Sequence, residues 1–287
     1  MINVLVTGGN GQLASSIKNL AKQYEGLHLI YTDYKELDIC DLNQIDGFFK
    51  THPKIDYCIN CAAYTAVDKA ETDVEKAFEI NAQGPKNLAL VCNAQDTILI
   101  HVSTDFVFDG NRSEPYTETD IPNPISVYGA SKLKGEIEIQ KGLKKHFIIR
   151  TSWLYSEHGT NFMKTMLRLA ETRDEISVVS DQTGTPTYAG DLADVILKII
   201  SSKDKNFGLY HYSNEGVASW YDFAKEIFKV SKLKIKTNPI ATVAYPTPAK
   251  RPVFSVMDKT KIKKTLNIKI PHWREPINTS LKYLLED

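Results

Sequence analysis

Short apolar runs alternate with amphipathic stretches through the first half of the chain. Positions 2–7, 27–32, 57–61, 97–103 and 147–151 are nearly continuous in hydrophobic residues. A strand with one wet face alternates apolar and polar side chains. A strand that is apolar throughout is covered on both faces, as in a parallel sheet held between two helical layers. Helical spacing fills the gaps at 13–23, 42–51, 74–81 and 85–93, with Pro53 just past the second helix and Pro85 at the start of the fourth. The pattern predicts an α/β fold with a doubly wound parallel sheet and right-handed crossovers.

After Thr151 the rhythm changes. Helical patterns at 162–173, 192–201 and 220–230 are separated by loops rich in Gly, Pro and Ser, and 239–252 is proline-rich and irregular. Two domains are expected: 1–151 carrying the sheet, and 152–287 as a smaller substrate-binding domain laid over its carboxyl edge, from which the chain can return to the sheet.

Composition narrows the function. The chain has 287 residues, and 35 basic residues balance 35 acidic ones, so the basic excess of a duplex-binding protein is missing. No apolar run approaches the roughly 20 residues that span a bilayer. Met1–Thr7 carries neither a basic leader nor a small-residue cleavage site, so no signal peptide is expected. Four cysteines are few for a disulfide framework and suit the cytoplasm. Cys58 and Cys61 have the C-x-x-C spacing, but they lie in a strand and its exit rather than at a helix N-terminus, and are expected to be ordinary thiols. No cluster with metal-ligand spacing stands out.

The first strand opens into Thr7-Gly8-Gly9-Asn10-Gly11-Gln12-Leu13-Ala14. One glycine makes a tight turn, a second lets the backbone approach a pyrophosphate, and a small third residue lets helix pack on strand. A phosphate then sits on the amides of a helix N-terminus. Gly8, Asn10, Gly11, Gln12 and Leu13 are therefore candidate cofactor residues. Asp33, at the end of the second strand, is placed to accept a ribose 2′-hydroxyl, which favours NAD. Lys35, two residues on, keeps NADP open. Asp38 and Ile39 open the next loop and are placed to frame the adenine.

The fourth strand ends in Ser103-Thr104-Asp105, hydroxyls at the edge where α/β sheets bind ligands. Tyr128 and Lys132 are four residues apart, on one face of a helix. An ammonium ~5 Å from a phenol, at an effective dielectric of about 20, is worth roughly 3 kcal/mol, or about two pKa units. The expectation is that Lys132 draws the Tyr128 pKa toward neutrality. Tyr128 then protonates a carbonyl oxygen as hydride arrives, Thr104 donates a second hydrogen bond, and Lys132 holds the nicotinamide ribose.

These residues resemble the extended short-chain dehydrogenase/reductases, and within them the dTDP-4-dehydrorhamnose reductase family. The resemblance covers nearly the whole chain. It is carried by Gly8-x-x-Gly11-Gln12-Leu13, the run from Asn60 to Glu71, Ser103-Thr104-Asp105-x-Val107-Phe108 and Tyr128-Gly129-x-Ser131-Lys132. Arg150-Thr151-Ser152-Trp153, Asn161-Phe162, Asp181-Gln182-x-Gly184-x-Pro186-Thr187 and the run from Ala244 to Pro252 add to it. It implies a Rossmann fold and NADPH- or NADH-dependent reduction of the C4 ketone of dTDP-4-dehydro-L-rhamnose to dTDP-L-rhamnose. It also implies Ala63, Tyr64 and Thr65 lining the cofactor, Asp105 and Trp153 on the sugar nucleotide, and Arg251 on its diphosphate, since guanidinium binds phosphate bidentately. Ala14 stands where a third glycine is usual, and Tyr64 where His is frequent.

Two alternatives stay open. One is another enzyme on a keto-deoxysugar nucleotide, such as an epimerase or dehydratase; Phe106 stands where the dehydratases resemble Thr-Asp-Glu. The other is a non-catalytic regulatory subunit with this fold, of the kind that binds methionine adenosyltransferase. The expected partner is a small sugar nucleotide, with no nucleic acid or membrane, and the family allows a homodimer.

Overall fold

The computed structural model describes residues 1–203 and 205–286. The first half builds β1 (Ile2–Thr7), α1 (Gln12–Leu20), β2 (Leu27–Thr32), α2 (Leu42–Thr51), β3 (Tyr57–Asn60), α3 (Val67–Ala70), α4 (Val74–Phe78), α5 (Gly84–Ala94), β4 (Ile98–Thr104), α6 (Val127–Gly142) and β5 (His146–Thr151). The second half adds β6 (Leu154–Tyr155), α7 (Phe162–Ala170), β7 (Glu175–Val179), β8 (Thr183–Gly184), β9 (Thr187–Tyr188), α8 (Ala189–Ser202) and β10 (Gly208–His211). After these come β11 (Ala218–Ser219), α9 (Trp220–Val230), β12 (Lys236–Ile240), α10 (Thr260–Leu266) and α11 (Glu275–Glu286).

Six strands form one parallel sheet in the order β10-β5-β4-β3-β1-β2. The chain winds outward in both directions from the β1/β3 pair. The loops leaving those two strands part there and open a crevice at their carboxyl ends. The strands' apolar runs are explained by the two-residue period of the side chains. Val4, Val6, Ile59, Ile100 and Ile149 pack on one face against Leu13 and Ile17 of α1 and Leu192, Ile196 and Ile200 of α8. Leu5, Cys58, Leu99 and Ile148 pack on the other, against Ile45 and Phe49 of α2, Leu88 and Cys92 of α5 and Ile139 of α6. Cys58 and Cys61 contribute to opposite faces, and all four cysteines are free thiols.

Two features differ from the sequence expectation. The helices expected at 74–81 and 85–93 form one continuous helical run, with a π-helical segment at Glu79–Gln83 between α4 and α5. Pro85 has no N–H to return to the Asn81 carbonyl, so the α-helical ladder cannot close there and the turn widens. Gly135 of α6 packs against that carbonyl; a Cβ on it would lie 2.1 Å from the oxygen.

Beyond Thr151 the chain gives the sheet both an edge strand, β10, and a covering helix, α8. The strand escaped the hydrophobic reading because Gly208-Leu209-Tyr210-His211 is only four residues long. The remaining elements gather around a separate apolar cluster that includes Tyr155, Met163, Phe223, Trp273 and Ile277. Among the described residues no helix is long and apolar enough to cross a membrane.

Candidate active site

The crevice is a cavity of roughly 1720 Å³ along the carboxyl edge of the sheet. Ligand pockets usually measure about 300–1,000 Å³, so this one has room for two nucleotide-sized molecules. Gly8, Asn10, Gly11, Gln12, Leu13, Asp33, Asp38, Ile39, Ala63, Thr65, Thr104, Asp105, Tyr128, Lys132, Trp153 and Arg251 all line it. Tyr64 does not. Its backbone is tied to the Asn81 carboxamide and its hydroxyl donates to Asp73 at 3.0 Å, which fixes the ring outside the lining.

At one end lies the glycine turn. Gly8 has φ +68°, in the region that glycine adopts without cost, and a Cβ there would stand 2.7 Å from the Ala62 backbone nitrogen. The turn between β1 and α1 is thus pressed directly against the exit of β3. Gly11 caps α1 without a side chain to accept its first amides, so the helix opens on the cavity with N–H groups suited to an anion. Asp33 is positioned by its own contacts: Oδ2 accepts from the Asn10 amide at 2.9 Å and Oδ1 from the Tyr34 amide at 2.7 Å. Lys35 is exposed and does not line the cavity. These are the features that a dinucleotide pyrophosphate and ribose require, and the residues present fit one.

At the centre, β4 delivers Thr104 and α6 delivers Tyr128. Ser126 caps α6 by accepting from the Gly129 amide at 3.1 Å. Gly129 allows the helix start to press onto the turn at Asp105–Val107; a Cβ there would be 2.2 Å from the Phe106 carbonyl oxygen. That close approach sets the Tyr128 hydroxyl beside the Thr104 hydroxyl, with Phe106 edge-on to the Tyr128 ring at 5.6 Å. Burial pushes the Tyr128 phenol up to about 12; the Thr104 hydrogen bond pulls it down and the Asp105 charge adds to the rise.

The expectation that Lys132 draws the Tyr128 pKa toward neutrality is corrected: burial raises the phenol instead. The Lys132 side chain lines the cavity but is almost fully buried, and its Nζ donates to the Val102 carbonyl at 2.7 Å and lies 3.3 Å from His101 Nε2. Its charge has no resolved effect on the phenol, whose loss of water dominates. Burial pushes Lys132 itself down to about 8, against the upward pull of Glu136 and Cys61. Below it, Glu136 and Arg150 form a fully buried ion pair at 2.6 Å that also takes the Ser103 hydroxyl at 2.5 Å, locking α6 to β4 and β5.

The other end is aromatic. Trp153 has φ +46° and stacks on Trp220 at 3.6 Å between ring centres. A Cβ on Gly184 would stand 2.7 Å from the Trp153 indole, so only glycine admits the ring. Trp220, whose Nε1 donates to Gln182 at 3.1 Å, also lines the cavity. Sequence reading missed it, because Trp220 opens a well-capped amphipathic helix and reads as core. Asp105 is almost completely buried, its Oδ2 has no hydrogen-bond partner, and burial raises its carboxyl to about 6. Arg251 is held by Asp68 through two bonds of 3.0 and 2.8 Å, and further by Thr247 and the Ala249 carbonyl. Its guanidinium fork is already satisfied by that carboxylate, which does not itself line the cavity.

A doubly wound parallel sheet with a glycine turn, and with Tyr128 and Lys132 on a helix at its carboxyl edge, defines a short-chain dehydrogenase/reductase. The chain belongs to the dTDP-4-dehydrorhamnose reductase family: the family model described as the RmlD substrate binding domain matches residues 2–285. The dTDP-4-dehydrorhamnose reductase of Aggregatibacter actinomycetemcomitans is 41% identical over 99% of both chains. Among solved structures, a dTDP-4-dehydrorhamnose reductase from Clostridium acetobutylicum is 43% identical, with a TM-score of 0.95 over 99% of this chain and 100% of that one. Another from Bacillus anthracis, in complex with NADP, is 39% identical, with a TM-score of 0.92 over the same shares.

Proposed function

We propose that this protein is an NADPH- or NADH-dependent reductase that converts the C4 ketone of dTDP-4-dehydro-L-rhamnose to the alcohol of dTDP-L-rhamnose. The observation that carries the reading is one cavity holding the glycine turn, the Thr104–Tyr128 pair and the Trp153–Trp220 stack in sequence along a single sheet edge. When bound, the nicotinamide coenzyme supplies hydride to the carbonyl carbon. Every other task falls to the chain. The turn at Gly8–Leu13 holds the pyrophosphate, Asp33, Asp38 and Ile39 surround the adenosine, and Ala63 and Thr65 flank the coenzyme where β3 ends. Tyr128 keeps its proton throughout the physiological range and gives it to the carbonyl oxygen; Thr104 donates a second hydrogen bond to that oxygen. Lys132 holds the nicotinamide ribose from below. Asp105 offers its unpaired oxygen to a sugar hydroxyl, and the two tryptophans form an apolar wall for the sugar nucleotide. Arg251 reaches a diphosphate only by sharing or leaving Asp68.

The preference between coenzymes belongs to the same proposal. Asp33 is a carboxylate where an NADP-specific site needs a cation, so NADH is the expected preferred donor. The chain beyond Thr151, apart from α8 and β10, is read as the substrate-binding part. A cytoplasmic location, consistent with four free thiols, and a homodimer complete the picture. The test is a panel of ketosugar nucleotides with both coenzymes, followed by loss of reduced-nicotinamide absorbance. Turnover of dTDP-4-dehydro-L-rhamnose above the other ketosugars is the expected result, and its absence overturns the reading. Asp33→Ala should weaken NADH about tenfold while leaving NADPH nearly unchanged; equal losses would remove the ribose argument.

A further inference from the structure

A row of buried polar side chains crosses the sheet beneath the site. Thr7 of β1, Asn60 of β3 and His101 of β4 are direct cross-strand neighbours. The Thr7 hydroxyl donates to Asn60 Oδ1 at 2.8 Å, Asn60 Nδ2 meets His101 Nδ1 at 3.0 Å, and His101 Nε2 lies 3.3 Å from Lys132 Nζ. All four are almost completely shielded from solvent.

The protons in this row can be assigned. The Ala62 backbone amide can only donate, and it does so to the same Asn60 atom, at 3.1 Å. That atom must therefore be oxygen, so the amide nitrogen faces His101 and donates to Nδ1. His101 is held neutral chiefly by burial. A neutral imidazole that accepts at Nδ1 carries its proton on Nε2. That N–H points at Lys132. An amine accepts it; an ammonium has no lone pair with which to do so.

We propose that Asn60 and His101 act as a positioning relay for the reduction: Asn60 fixes the His101 proton on Nε2, and that N–H sets whether Lys132 rests as an amine against His101 or as an ammonium turned to the cleft. Lys132 accepts from His101 and donates to the Val102 carbonyl in the first form. In the second, the ammonium keeps one N–H on the Val102 carbonyl and has its other two free for the coenzyme ribose. The remaining charged and titratable groups around Lys132 are Glu136 and Tyr128 on its own helix, Cys61 beyond β3, and Arg150 of β5 behind Glu136. Glu136 is already engaged by Arg150 and Ser103, which leaves His101 as the contact that discriminates the two forms.

The inference deepens the proposed reductase, but its first test needs neither substrate nor coenzyme. In the unmodified protein with labelled histidine and lysine, 15N NMR should show His101 protonated at Nε2 and bare at Nδ1, and Lys132 titrating well below the other lysines. A proton on Nδ1, or a Lys132 that titrates with the rest, overturns the relay. Missing ketosugar reduction with the expected NMR result overturns the functional reading alone. Asn60→Asp should reverse the tautomer, since a carboxylate accepts a hydrogen bond from a protonated Nδ1 and leaves the Nε2 lone pair facing Lys132. The alkaline limb of kcat/KM should then move up by at least one pH unit, a tenfold change in proton concentration, together with the Lys132 resonance. A folded Asn60→Asp protein with both unmoved would also overturn it, and if that variant does not fold the NMR assignment in the parent decides.

Discussion

Tyr128 can serve as an acid because it is kept from ionising, not because a neighbour makes it ionise. Loss of water in the cleft outweighs the hydrogen bond from Thr104 and leaves the phenol protonated to about pH 12. Hydride arriving at the carbonyl carbon builds charge on the oxygen beside it, and the proton moves only as that charge develops. Tyr128→Phe removes the donor and retains the ring. It should lower kcat by about 10²–10⁴-fold while leaving the coenzyme Kd within about twofold, measured by steady-state kinetics and equilibrium titration. A kcat within a few-fold of the parent would assign the proton to another group.

At the scale of elements, the site depends on two close approaches that only glycine permits. Gly129 lets the start of α6 rest on the Phe106 carbonyl, which brings Tyr128 to Thr104. Gly135, two turns on, lets the same helix rest on the Asn81 carbonyl released by the π-helical segment. The widened turn and the smooth helix face are complementary, one projecting where the other has no side chain. Gly135→Ala places a methyl group 2.1 Å from that oxygen, a clash that neither backbone can absorb without moving. The expected cost is about 1–3 kcal/mol, offset only slightly by the better helix propensity of alanine. It should appear as a Tm several degrees lower, with kcat reduced more than the coenzyme affinity, since α6 carries Tyr128. An unchanged Tm would show that the two helices are not held in contact there.

For the whole molecule, two carboxylates outside water shape the response to pH. Asp105 in the site and Asp191 at the start of α8 both have their pKa raised to about 6, chiefly by burial. The unfolded chain releases those protons near pH 4, so between about 4 and 6 the native state holds more protons than the unfolded state. Stability from these groups is therefore present at low pH and lost as pH rises through 6, by up to about 3 kcal/mol for each. Asp191 is outside the cavity lining and receives an Asn214 amide at 2.6 Å, so it separates this effect from chemistry. Asp191→Asn should raise Tm above the parent at pH 7 to 8, with the difference vanishing near pH 4 in thermal unfolding scans. A constant difference across that range would show that its ionisation is not linked to folding.

How much was legible in advance follows from the range of the interactions concerned. Continuous apolar runs mark strands covered on both faces, a glycine turn after the first strand marks a phosphate site, and Tyr128 and Lys132 share a helix face by local spacing alone. Each of these rests on residues within a turn or two of one another, so sequence by itself determined five of the six sheet strands, their wrapping, and the glycine-turn and Thr104–Tyr128 parts of the cavity lining. The rest required folding to bring distant segments together. The edge strand β10 returns from beyond β5 to set Gly208 beside Phe147, 61 residues earlier, and Trp220 stacks on Trp153 from 67 residues away. Arg251 meets Asp68, 183 residues away, and Lys132 reaches His101 and the Val102 carbonyl. Burial and long-range hydrogen bonding decided these placements and the proton states that follow from them, because desolvation depends on everything packed around a group and is not written in its neighbours along the chain.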